Sequence, residues 1–465
     1  MSLAWRVVPG PGTSRKRNQP RTGTAKRPLD EGETVHRRTR ALAAALAVAT
    51  IVPLAACSTG EGSGPPVLTW YINPDNGGQA AIAASCSDAS GGAYRIETSL
   101  LPRDAAAQRE QLARRLAAKD SSIDLMSLDP PFIPELAEAG FLAPVPDDVA
   151  TATTQDVVQG AVDGSTWKDE LVAIPFWANT QLLWYRKSVA QAAGLDLTQP
   201  VTWDQIMTAA QDQDTYLGVQ GAKAESLTVW INALVESAGG QILENPEAPA
   251  DELTLGLETD AGRAAARIIG EIGSSGLGGP GLPSADESAS LALFQGDEGS
   301  FMVNWPFVWS STQAGVDAGS LDQALLDDIG WTTYPQVVEG QDARPPYGGI
   351  SLGVGAFSEH TDLSYEAAQC IVSAENQAAY FVSDGNPAAN TQAYDDPAVQ
   401  EAYPMYDVIR QSLEQAAPRP QTPFYNEVST GLQQTWYPPA SVTEDGTPVT
   451  STDFITAVLR GERLL

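Results

Sequence analysis

Three apolar runs, at 67–72, 94–100 and 123–128, are separated by two stretches of helical character, 79–86 and 104–119. This alternation is the tightest constraint in the chain, because strands joined through intervening helices return to the same sheet in parallel. It predicts a parallel α/β sheet. Asp104 is placed to cap the second helix, with Leu112 and Leu116 four residues apart on one of its faces. In open α/β sheets, ligands bind beyond the carboxyl ends of strands. Asp129, followed by Pro130 and Pro131, stands at such an end, where capping the next turn is its alternative role.

The alternation continues less regularly. Apolar stretches at 171–176 and 181–185 flank 177–180, and helices are expected over 203–211, 228–237 and 260–272. A strand at 300–304, a helix opening at 306–312 and a strand at 349–357 follow, and the C-terminal part reads as helices at 363–383, 405–417 and 453–463. The Gly/Pro/acidic segments 246–254 and 274–284 are expected as exposed loops, and no internal repeat is found. With 465 residues, 43% of them hydrophobic, two or three domains with a large core are possible.

Arg37, Arg38 and Arg40 precede an uncharged apolar run that ends in Leu54-Ala55-Ala56-Cys57. This is the layout of a signal peptide, and the run is too short for a permanent span of about 20 residues. Leu-Ala-Ala-Cys resembles the lipobox of bacterial lipoproteins, which implies cleavage before Cys57 and a lipid on its sulfur that anchors the protein at the outer membrane face. Residues 1–34 are polar and basic and fall outside this layout, so Val35 is expected as the initiator. Residues 58–66 read as a Gly/Ser tether, stiffer at Pro65-Pro66. Cys86 and Cys370 then remain as an even pair in an oxidising compartment, compatible with a long-range disulfide or with two separate buried thiols.

From residue 57 onward, 17 basic residues face 55 acidic ones, a net charge of -38. Such a field repels phosphate backbones and anionic headgroups, so nucleic acid is excluded as a partner and membrane contact requires the anchor. Beyond residue 56 the one histidine is His360, expected on a surface turn before a helix. Zinc-protease, P-loop, dinucleotide and EF-hand patterns are missing, so neither a metal nor a cofactor is expected. Glycoside hydrolysis needs only two placed carboxylates and stays as the enzymatic alternative. Aromatic residues interleaved with Asn, Asp, Gln and Glu near strand ends suit sugars, whose hydroxyls want planar hydrogen-bond partners and whose C–H faces pack on aromatic rings.

The lipobox, the tether, the strand ending Ser127-Leu128-Asp129, the run 171–185, the turn Asn304-Trp305-Pro306-Phe307 and Tyr347-Gly348-Gly349 together resemble the family 1 extracellular solute-binding proteins of carbohydrate ABC importers. The resemblance covers nearly all of 57–465. More narrowly, 101–103 (LPR), 111–116 (QLARRL), 179–185 (NTQLLWY), 304–308 (NWPFV) and 419–423 (RPQTP) resemble the trehalose-binding lipoproteins of mycobacterial trehalose-recycling importers.

That resemblance implies a two-lobed, type II periplasmic-binding-protein-like α/β fold with the ligand in a cleft. The first lobe would hold 67–178 and 304–384, the second 181–303 and 388–465, with crossovers near 177–180, 300–304 and 385–387. Cys86 and Cys370 would lie on neighbouring helices of one lobe. The protein would be a monomeric receptor and not an enzyme, binding a disaccharide such as trehalose and delivering it to permease subunits driven by a separate ATPase. By position, the ligand contacts would be Asn76, Gln108 and Asp129 in the first lobe, Asn179 at the crossover, and Glu225 before a helix of the second lobe. Trp305 would stack on the sugar, Gly348 and Gly349 would allow close backbone approach, and Arg419 would supply the basic group. For Arg419 the alternative is a structural ion pair, and for Trp305 a place in the core.

Overall fold

The computed structural model describes residues 64–465. The expected export segment, Cys57 and the tether up to residue 63 lie outside the described residues.

Strands β1 (Val67–Ile72), β2 (Arg95–Leu100) and β3 (Leu125–Leu128) are joined by helices Gly78–Ala89 and Ala105–Ala117. β1 pairs with both neighbours in parallel, as the alternation predicts, with Val67 opposite Arg95 and Trp70 opposite Leu125. Asp104 caps its helix by accepting the Ala107 N–H at 2.8 Å, and Leu112 and Leu116 are buried in one cluster with Tyr71 and Met126. A short hairpin of β4 (Thr166–Trp167) and β5 (Glu170–Leu171) precedes β6 (Ile174–Thr180), β7 (Leu182–Arg186) and β8 (Tyr216–Gly218). β9 (Gly299–Asn304), β10 (Ile329–Thr332) and β11 (Tyr347–Val354) complete the strands among the described residues.

They form two larger sheets, ordered β2-β1-β3-β11-β6 and β10-β7-β9-β8. The first is mixed: β2, β1 and β3 form the parallel part expected, and β11 departs from it. β11 runs antiparallel to both β3 and β6, and it follows β10 of the second sheet instead of a local helical crossover. The second lobe encloses Trp203, Trp230, Ile269 and Trp436 among helices Trp203–Asp212, Glu225–Ser237, Asp260–Ser275, Tyr425–Thr435 and Gly446–Leu459. The last of these begins seven residues before the expected 453.

Other expectations are corrected by backbone pairing. Residues 177–180 do not form a break: Trp177, Ala178, Asn179 and Thr180 pair with Ile350, Gly349, Gly348 and Tyr347, so β6 continues to Thr180 and the chain crosses at Gln181. Residues 300–304 lie wholly within β9 of the second sheet. Within 304–384, expected in the first lobe, β10 pairs with β7, and Trp331 meets the edges of Trp184 and Trp309. Of 388–465, Tyr394, Val399 and Tyr403 share a cluster with Trp184 of the second sheet but also with Ala178 of the first. The helix expected over 363–383 is two, Thr361–Ile371 and Ala374–Asp384, because Ser373 caps the second through the Asn376 N–H. The loops 246–254 and 274–284 are pinned by Leu253, Leu277 and Leu282, which are buried against the second-lobe core.

Cys86 and Cys370 form a disulfide between helices Gly78–Ala89 and Thr361–Ile371, with their Cα atoms 5.9 Å apart. The bond decides between the two roles left open for the pair. Thiol titration of the unfolded, unreduced protein is expected to find neither cysteine, and replacing both with serine is expected to cost about 2–5 kcal/mol in denaturant unfolding.

Helix Glu225–Ser237 carries a second acidic residue, Glu236, whose carboxyl is pushed up from 4.5 to about 7 by burial, with Arg344 opposing. Because its folded value exceeds its unfolded one, the stability it contributes is fully present below pH 4.5 and is lost as pH rises through 7. Glu236→Gln, neutral at every pH, is therefore expected to gain up to about 3 kcal/mol over the parent at pH 8 and little at pH 5, measured by urea melts.

Candidate functional site

The proline pair after β3 turns the chain into a short 3₁₀ segment, Pro130–Phe132. Asp129 heads this segment without capping it, which leaves its carboxylate free to point elsewhere. It meets Arg419, whose Nη1 donates to Asp129 Oδ2 at 3.1 Å and whose Nη2 reaches Oδ1. Nη1 also donates to Glu225 Oε1 at 2.7 Å. Glu225 stands in the first turn of helix Glu225–Ser237, where the helix dipole favours negative charge. The Tyr425 hydroxyl donates to Glu225 Oε1, and the Ser429 hydroxyl donates to Oε2 at 2.7 Å. One side chain, 6% exposed, thus joins a strand end of the first lobe to a helix of the second. Phe132 adds an edge contact to the Tyr425 ring at 5.4 Å.

Burial alone would lower the Arg419 guanidinium, but Asp129 and Glu225 outweigh it and hold the group well above its usual value. Glu225 is pushed up by burial, against the opposing pull of Arg419 and the Tyr425 hydrogen bond.

A second group lies where β6 and β9 end and β11 begins. Asn304 closes β9, accepting the Trp305 N–H at 2.9 Å through its side chain and donating to the Glu287 carbonyl at 2.9 Å. The Trp305 ring covers Gly348, where a Cβ atom would lie 3.1 Å from it. At Gly349, with φ of 123°, a Cβ would come within 2.2 Å of the Trp177 carbonyl, so only glycine fits. Asn179 is buried opposite Gly348 in β6, and its side chain accepts the Thr180 N–H at 3.0 Å. Trp305 is partly exposed and not a core residue.

Gln108 donates to the Pro102 carbonyl at 2.8 Å and lines a cavity of about 10 Å³ with Ser127, Asp129 and Phe132. Asn76 is exposed in the turn after β1, and its backbone N–H donates to Asp384 at 2.6 Å. His360 lies on the expected turn at the head of helix Thr361–Ile371, where it is half-buried. Asp129, Glu225 and Arg419 are therefore in direct contact, Trp305, Asn179 and the two glycines form a neighbouring group, and Asn76 stands apart.

Sequence reasoning missed four residues. Tyr425 and Ser429, which fix Glu225, sit on a helix that was not anticipated because Tyr425–Thr435 is largely polar. Tyr347 is buried, and its phenol is pushed up by burial and by the charge of Asp129. Glu287, in the first turn of helix Glu287–Gln295, has its carboxyl raised by burial and further by Asp286 and Glu225, while the Trp305 side chain opposes. The signal that could have found it is the Asp286 cap, which accepts the Ala289 N–H at 2.8 Å, followed by Leu291 and Phe294 three apart. Three carboxylates, one guanidinium and a partly exposed indole can accept from and donate to hydroxyls while packing a C–H surface.

Arg419 separates two carboxylates that face one another from opposite lobes. In Arg419→Ala their repulsion is relieved more cheaply by opening and hydration than by unfolding. The ligand-free variant is expected to show a larger radius of gyration than the parent at pH 7, with the difference shrinking as pH falls and Glu225, its carboxyl already raised by burial, takes up a proton. Equal radii at pH 7 by small-angle scattering would contradict the bridging role.

The fold is shared with solved structures. Maltose-bound MalE3 of T. maritima superposes with a TM-score of 0.71 at 23% identity, covering 85% of this chain and all of that one. The GacH receptor of Streptomyces glaucescens gives 0.70 at 19% identity, over 85% and 99% of the two chains. An Agrobacterium vitis solute-binding protein with bound D-mannitol gives 0.65 at 18%, over 85% and 98%. The mannitol-binding protein of Pseudomonas aeruginosa is 29% identical over 98 residues, so the chain matches 22% of that relative's length and 21% of its own. Residues 95–378, more than half of the chain, match the bacterial extracellular solute-binding proteins, and the protein belongs to that family, whose members bind solutes and are not enzymes.

Proposed function

We propose that this protein is the sugar-capturing component of an ABC importer, held by a lipid on Cys57 at the outer face of the cytoplasmic membrane. Its ligand is a disaccharide, with trehalose the first candidate, which it passes to the permease subunits. The observation that carries this reading is the contact of Arg419 with Asp129 and Glu225 beside the partly exposed face of Trp305. Hydroxyls of a neutral sugar can accept from the guanidinium and donate to the carboxylates, while a pyranose C–H face packs on the indole. The maltose- and D-mannitol-bound relatives support a sugar or polyol. Trehalose is supported by the segments around 111–116, 179–185, 304–308 and 419–423.

The contacts assigned to the ligand are Asn76, Gln108, Asp129, Asn179, Glu225, Trp305, Gly348, Gly349 and Arg419, with Glu287 added beside Trp305. Lobe 1 comprises 67–180 and most of 305–384, and lobe 2 comprises 181–304, β10 and most of 388–465. A sugar favours the closed arrangement only as far as it binds that state better. Part of that gain is spent on Arg419, which already has both carboxylates as partners, so the ligand replaces existing ion-pair contacts. Closure excludes water and strengthens each polar contact that remains.

Calorimetry with a panel of disaccharides tests the reading: saturable binding of trehalose, weaker binding of maltose and no release of glucose are expected. Asp129→Ala and Trp305→Ala should each weaken binding roughly tenfold or more, since a hydrogen bond to a charged group or a buried ring stack is removed. His360→Ala, away from these groups, should bind as the parent does. Wild-type affinity in both site variants would place the ligand elsewhere.

A further inference from the structure

The third crossover, 385–387, leaves helix Ala374–Asp384 immediately after a carboxylate that is 6% exposed. Asp384 Oδ1 accepts the Asn76 N–H at 2.6 Å, and the Ser383 hydroxyl donates to Oδ2 at 2.5 Å. The approach is so close that a Cβ atom on Gly78 would lie 2.1 Å from Oδ2 and 2.5 Å from the Tyr380 ring. Gly77 and Gly78 open helix Gly78–Ala89, which has no cap from its own N-cap side chain. Two carboxylates hold this entry: Asp75, from within the turn, accepts the Gln79 N–H at 2.7 Å, and Asp384, 308 positions from Asn76, holds that residue's N–H just ahead of the helix.

The contacts extend in two directions. Toward the cleft, Gln79 Nε2 donates to Asp75, and its Oε1 accepts the Ser127 hydroxyl at 3.1 Å, two residues before Asp129. Toward the crossover, Gly385 takes φ of 74°, Asn386 donates to the Tyr380 hydroxyl at 3.0 Å, and the Pro387 carbonyl accepts the Ala178 N–H at 3.0 Å. The 385–387 segment is therefore fastened to β6 through Pro387, and Asp384, the residue just before it, to the turn that carries Asn76.

We propose that Asp384 is a positioning residue for solute capture, tying the third crossover to the turn after β1 and, through Gln79 and Ser127, to the strand end that presents Asp129. Its role in capture rests on the reading that the solute sits at Asp129. The tie itself can be measured without any solute.

Amide exchange followed by mass spectrometry on the ligand-free protein compares the parent with Asp384→Ala and Asp384→Asn. In Asp384→Ala, amides at 76–79 and at Ala178 are expected to exchange about tenfold faster, the size associated with losing a hydrogen bond to a charged group. The helices Trp203–Asp212 and Glu225–Ser237 should be unchanged. Asp384→Asn, which keeps an acceptor for the Asn76 N–H, should fall between the two and serves if the alanine variant does not fold. Exchange at 76–79 and Ala178 within twofold of the parent, or acceleration spread evenly into the second lobe, overturns the tie. Trehalose calorimetry on the same proteins should show affinity lowered about tenfold in the alanine variant and less in the asparagine one. Unchanged affinity alongside faster local exchange overturns the positioning role. A parent that binds no sugar of the panel refutes the proposed function, while the exchange result still decides the tie.

Discussion

A guanidinium as buried as that of Arg419 is tolerable only because charges from both lobes surround it. Removing an ion from water costs several kcal/mol even after relaxation, and a bidentate carboxylate with further hydrogen bonds is the usual compensation. Here Asp129 supplies the bidentate partner and Glu225 the second acceptor, itself held by Tyr425 and Ser429. Each partner is fixed by a different device: a strand end turned by two prolines, a helix first turn, and a helix packed in the second-lobe core. The two sheets, whose order brings β3 and β6 into one layer and β7 and β9 into the other, make that meeting possible.

The charge arrangement also bears on selectivity. Asp129, Glu225 and Glu287 outnumber Arg419, and the body beyond residue 56 is strongly acidic. Anionic solutes would meet an unfavourable field both on approach and in the cleft. Neutral polyhydroxylated solutes would be spared it, and they have the donors and acceptors that such side chains need.

How much of this was legible depended on how local each signal was. β1, β2, β3 and the Asp104 cap were readable because period, spacing and capping residues lie within a few positions of one another. The place of β11 was not, since Ser351 pairs with Leu128 from a distant part of the chain. Asn179 and Thr180 suggested a polar break, yet their backbone groups are satisfied by β11, and polar side chains do not end a strand whose ladder is complete. The split at Ser373 left only a cap as its trace, without glycine or proline. At the site, Asp129 stood out because it follows a strand end, whereas Arg419 came only with the resemblance of the segment 419–423. Glu287 was hidden among 58 acidic residues, where burial, not identity, sets it apart.

The disulfide encloses more than its own lobe. Cys86 and Cys370 are 284 positions apart, and the covalent ring they close contains β2 to β11, including every strand of the second sheet. A force applied between the N-terminal side and the C-terminus would pass through the sulfur–sulfur bond and bypass that ring. Pulling could peel off helices Tyr425–Thr435 and Gly446–Leu459, which lie outside it. The strands within would gain no contour length until the bond was cut, so a molecule tethered at one end would yield under tension by a short, bounded extension.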